Sequence, residues 1–98
     1  MKNVAVLVTT SHRGVFFGYR PAAEADLIPS DHTVRLTDAR IIIYWSPGTH
    51  GVLGLASTGP ADGSRISAPV PAITLTDVTS VSICSATATE RMESTQWV

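Results

Sequence analysis

The sequence predicts a mainly β fold: a small barrel or roll of about six or seven short strands, closed by a short C-terminal helix. Three observations predict it. Apolar runs rich in Val, Ile and Thr recur along the chain, separated by clusters of Gly, Pro, Asp and Ser. Apolar residues make up 44% of the chain and charged residues only 15%, values of a folded rather than a disordered polypeptide. Only the last dozen residues change character, to Ala, Thr, Glu and Met at helical spacing. Ninety-eight residues suit one domain, 1–98, with a helical tail at about 86–98. That length builds a single core without metal or disulfide staples.

"NVAVLVTT" (3–10) is apolar on both alternating faces, so it reads as a central strand. "VFFGYR" (15–20) follows after four residues, which makes a hairpin the economical reading. Gly18 inside it marks a bulge, or a place where another strand passes close. "PAAEADLIPSD" (21–31), bracketed by prolines, is a connector with room for one helical turn. "HTVRLTDA" (32–39) alternates as a half-buried strand, and "RIIIYW" (40–45) reads as a further strand buried on both sides. "SPGTHG" (46–51) reads as a β-turn around Pro47 and Gly48. "GVLGLAS" (51–57) then reads as a strand interrupted by Gly54, and 58–65 as loop.

The two prolines of "ISAPVPAITLTD" (66–77) confine its first half to an edge. "VTSVSICS" (78–85) sets apolar residues against serines. In the tail, Thr87 with Glu90 three residues on is a capping-box pattern. It predicts a helix near 88–95 with Ala88 and Met92 on one face. "VRLTDARIIIYWS" and "ITLTDVTSVSICS" echo each other at an offset of 39 residues. Both read as strand, Thr-Asp kink, strand, with Asp38 and Asp77 bonding nearby amides.

Net charge is −1, with a single lysine, Lys2, which argues against nucleic-acid binding. Cys84 is the only cysteine, so no intrachain disulfide and no cysteine zinc site can form, and it reads as a buried small hydrophobe. "MKNVAVLVTTSHR" lacks a signal-peptide core and no run reaches membrane length, so the expected location is the cytoplasm. His12, His32 and His50 lack the close spacings that bring two ligands together locally, so no metal site is expected. Phosphate-cradling loops place glycines before a helix and often a Gly-Lys-Ser/Thr, and neither feature is read here. No Gly-x-Ser-x-Gly elbow and no paired carboxylates occur. No catalytic residue and no cofactor are therefore predicted.

What remains is a set of turn residues with recognition chemistry: His12 and Arg13 at one tip, Trp45, His50 and Ser57 around the glycine-rich stretch, and Arg65 beyond Gly63. Trp45 ends a strand read as buried, and core packing is its favoured role. The stretches "VLVTTSHRGVFFGY", "ARIIIYWS", "GVLGLASTGP" and "ITLTDVTSV" resemble an uncharacterised family of small phage and prophage proteins. On that resemblance His12, Arg13, Gly14, Tyr44, Trp45, Ser46, Ser57, Gly59 and Pro60 are the matching positions, and no catalytic residue is implied. The resemblance implies a phage-encoded protein acting inside a bacterial cell. The expected function is non-enzymatic binding of a host-defence protein or a small signalling ligand. The alternative is a virion assembly protein forming a homo-oligomeric ring. Few charges on the strand edges predict a homo-oligomer in either case.

Overall fold

The computed structural model describes residues 3–11 and 14–95. Strand β1 (Asn3–Thr10) pairs antiparallel with β2 (Val15–Pro21) on one side and with β6 (Val78–Ile83) on the other. β2 pairs in turn with β3 (Val34–Tyr44). The far edge of β3 is shared between β5 (Val70–Leu75) along its first half and the two-residue β4 (Arg65–Ile66) at its end. Two helices, α1 (Gly51–Ser57) and α2 (Ala86–Ser94), lie on the sheet, and 3-10 turns occupy Ala22–Glu24 and Pro47–Thr49.

β5 and β6 are joined by only Thr76 and Asp77, yet they stand at opposite ends of the paired order. The sheet has to coil until its two ends meet at that corner. There the Val78 amide donates to the His32 carbonyl and the Ser11 amide to the Asp77 carbonyl, both at 3.0 Å. Beyond the corner β5 and β6 part without pairing. The result is a six-stranded, mainly β roll, as the sequence predicts, but an open one rather than a closed barrel.

The double-sided apolar pattern of β1 appears as two-sided burial. Val6 and Val8 point into the hollow of the roll with Val34, Leu36, Leu75 and Val78. Ala5 and Leu7 point to the opposite face, against Phe17, Leu55, Ile66 and Met92, where the helices cover the sheet. Each such buried aliphatic side chain is worth about 1.5–3 kcal/mol relative to exposure. Arg20 is also interior, 3% exposed. Its Nη1 donates to the carbonyls of Ala25 (3.1 Å) and Leu27 (2.7 Å), which folds the connector over one end of the roll.

The expected break between 39 and 40 is absent: β3 is one strand of 11 residues with a bulge. Phe17 faces Arg40 but Tyr19 faces Thr37, so β3 carries one extra residue there. Asp38 sits in that bulge with φ 46°, and Asp77 at the β5–β6 corner with φ 55°. The echoed Thr-Asp therefore encodes the same left-handed step, once as a bulge and once as a corner. The bulge inverts the alternation of β3. Val34 and Leu36 face the hollow before it, whereas Ile42 faces the helices after it. Gly18 lies opposite, and a Cβ there would come within 2.7 Å of Leu36 Cβ, the close strand passage the sequence predicts.

"RIIIYW" is not buried on both sides. Ile42 is interior, but Ile41, Ile43 and Tyr44 are exposed, and beyond Ile41 the strand has outrun β2 and pairs only with β4. The expected strand over 51–57 is a helix. Val52, Leu55 and Ala56 recur at helical spacing and pack on the helix-side core. The turn before it is 3-10, started by Pro47, and the left-handed residues are His50 and Gly51. Gly54 lets the helix fold back on that turn, since a Cβ there would fall on the Thr49 carbonyl oxygen. Helix α2 starts earlier than the Thr87–Glu90 pattern predicts. Its cap is Ser85, whose Oγ accepts the Ala88 amide at 3.0 Å. Ala88 and Met92 are buried on one face as predicted. The expected tail beyond Thr95 lies outside the described residues.

Three substitutions at two positions test the bulge. Gly18→Val should destabilise the fold by about 1–3 kcal/mol in urea unfolding, because Leu36 and the Thr37 backbone leave no room for the added methyls. Asp38→Gly should leave the unfolding midpoint unchanged or raise it. Asp38→Val should cost about 1–2 kcal/mol through its left-handed backbone.

Candidate functional site

Helix α1 buries Leu55 and Ala56, so Leu53 is turned to solvent, 75% exposed. Across from it β6 reaches the end of its ladder with Ile83, 51% exposed. Between them runs a shallow, open groove of about 720 Å³, lined by His50, Leu53 and Ser57 on one side and Ser82, Ile83 and Cys84 on the other. Ser85 ties the two walls together. Its amide donates to the Ala56 carbonyl (2.9 Å) and its Oγ to the Ser57 carbonyl (2.6 Å). Those bonds satisfy carbonyls that the end of α1 would otherwise leave open.

The chemistry of the groove is that of contact. The Cys84 side chain packs against the helix-side core, and burial pushes its thiol up to about 12. A thiol held in that form is a poor nucleophile at neutral pH. Ser57 Oγ turns back to the Gly54 carbonyl of its own helix at 3.5 Å. Walls of Leu and Ile with hydroxyls along the rim offer apolar area and a few directed hydrogen bonds.

Of the residues singled out in the sequence, His50 and Ser57 line this groove. Trp45 is half-buried and packs against the helix-side core, its structural role. Arg65 is exposed on β4, opposite Tyr44 and outside the groove. His12 and Arg13 lie outside the described residues. His32 sits at the corner, its Nδ1 3.2 Å from the Val78 carbonyl. Among the described residues no three His, Cys, Asp or Glu side chains group to hold a metal ion, and no helix is long and apolar enough to cross a membrane.

A strand reading of 51–57 hides the exposure of Leu53, and an apolar face over 78–85 hides that of Ile83. The signal that would have exposed Leu53 is the spacing of Val52, Leu55 and Ala56, which leaves residue 53 on the outer side of a helix. A separate polar cluster anchors the end of α2. Tyr19 Oη donates to Glu93 Oε2, and burial together with that carboxylate raises the Tyr19 hydroxyl well above its ordinary value. Arg40 donates to the carbonyls of Glu93 and Thr95, both at 3.4 Å, so it caps a helix C-terminus.

A family model described as a domain of unknown function, DUF6948, matches residues 3–92. The chain belongs to this family. The matched stretch runs from the start of β1 to Met92 in α2, so both walls of the groove are part of the DUF6948 domain. No curated protein and no solved structure matches the chain.

The Cys84 thiol should react with maleimide at pH 8 far more slowly in the folded protein than in urea. Equal rates would refute its partial burial. Because its folded value lies above the ordinary 9.0, its contribution to stability is complete below about 9. That contribution is lost as pH rises toward 12, and the loss should disappear from the unfolding curve of Cys84→Ala.

Proposed function

We propose that this DUF6948 protein is a non-catalytic binding module whose partner protein docks on the groove between α1 and β6. The observation that carries the reading is the pair Leu53 and Ile83, large apolar residues left exposed along one groove. A small signalling ligand asks for a cleft that encloses most of its surface, whereas this groove is shallow and open. That favours the macromolecular partner of the two expected. The resemblance to small phage proteins supports a phage-encoded protein acting in the bacterial cytoplasm on a host-defence component.

A second reading, an assembly protein of the virion, draws support from charge. Residues 66–89 contain two of the outer strands, β5 and β6, and only one charged residue, Asp77. Natural sheet edges are commonly guarded by charge, and these are not.

Affinity capture from host lysate separates the two readings. The wild-type chain should retain one host protein, identified by mass spectrometry and then titrated in purified form by calorimetry. Leu53→Asp should weaken that complex by at least about tenfold, a loss of about 1.4 kcal/mol or more. Undiminished affinity in Leu53→Asp would overturn the assignment of the groove. Recovery of the chain in purified virions, with nothing captured, would favour the assembly reading.

A further inference from the structure

The outer edge of β6 is an unfinished ladder. The Cys84 amide bonds inward to the Ala5 carbonyl on β1 at 3.0 Å, and the next amide, Ser85, bonds outward to Ala56. Amides of an antiparallel strand alternate in direction, so those of Ile83 and Val81 also face outward, with their carbonyls. At the other end the Val78 amide is taken by His32. Between those two ties no strand pairs with this edge among the described residues. It carries neither charge nor proline, whereas the free edge of β5 is blunted by Pro71, which has no amide to give.

We infer that this edge pairs antiparallel with the same edge of a second copy, about a two-fold axis near Val81. The occupant of the edge must be an extended strand, because what it leaves unpaired is backbone. It must also be short, because α1 closes the lane at Ser85 and the His32 segment closes it at Val78. β6 itself meets both conditions: its own chain turns away at the Asp77 corner and enters α2 after Ser85. Charge permits the match, since residues 78–89 of either copy bring no like charges together. With Val81 facing Val81, each copy lays the start of its β6 beside the end of the other's, where the groove begins. The inference rests on the groove being a contact surface and names its occupant when no other partner is bound.

Sedimentation of the full chain across about 1–200 μM should show a concentration-dependent dimer. Val81→Pro removes an outward amide and Ile83→Lys puts a charge on the rim, and each should sediment as a monomer with an unchanged circular dichroism spectrum. Should Val81→Pro fail to fold, the exposed Ile83→Lys decides alone. Ile41→Lys, at an exposed position of β3 outside the groove, should leave the dimer intact. In hydrogen exchange the Val81 and Ile83 amides should slow as concentration rises. A monomer throughout the range, a dimer indifferent to Ile83→Lys, or an assembly larger than two would overturn the inference. A monomer that still captures a host protein through Leu53 would sink this inference and leave the binding reading standing.

Discussion

One strand has to be dry on both sides. Ala5 and Leu7 alternate with Val6 and Val8 along β1, and none of the four tolerates water. A single sheet with one wet face would leave half of them exposed. The molecule supplies one cover by coiling the sheet over Val6 and Val8, and the other by laying α1 and α2 over Ala5 and Leu7. The rest of the architecture follows from keeping both covers in place with fewer than a hundred residues.

β3 serves both covers, and the Asp38 bulge is how. Without the extra residue, Ile42 would share the face of Val34 and Leu36 and the helical side would lose a core residue. With it, the first half of the strand lines the hollow and the second half floors the helices. Gly18 gives the bulge its room on the neighbouring strand, and Asp77 repeats the left-handed step where the chain turns from β5 to β6. The coil then ends before its edges can pair. The groove lies where the two covers fail to merge, between the last strand of the coil and the first helix laid over it. An unpaired strand edge and the most exposed large apolar side chain of the described residues thus meet in one place, because the same geometry produces both.

Much of the fold was legible because it is written in local patterns. The double-sided run 3–10, the hairpin after it, the close passage at Gly18 and the buried Ala88–Met92 face each depend on a few neighbouring residues. Two misreadings have physical causes. "GVLGLAS" carries two glycines and β-type neighbours, and its helical spacing spans only seven residues, too short for a helix that would stand on its own. "RIIIYW" is as apolar as a buried strand, but burial depends on what lies alongside, and beyond Ile41 only β4 does. Of the candidate contact residues, His50 and Ser57 were placed together by the fold and Trp45 packed against the core, while Leu53 emerged only once α1 was seen as a helix and Ile83 only once β6 was seen as an edge.

The sequence by itself determined which residues must leave water, where the chain must step through a left-handed conformation, and that its outer strands carry almost no charge. These are properties of single side chains and of near neighbours. Tertiary structure alone decided which strand edges are satisfied and which remain open. That outcome depends on how far the sheet coils before β5 and β6 part, and on a seven-residue helix whose stability comes from packing on residues distant in the chain. Solvent exposure at 53 and 83 follows from those long-range contacts, and no local pattern encodes it.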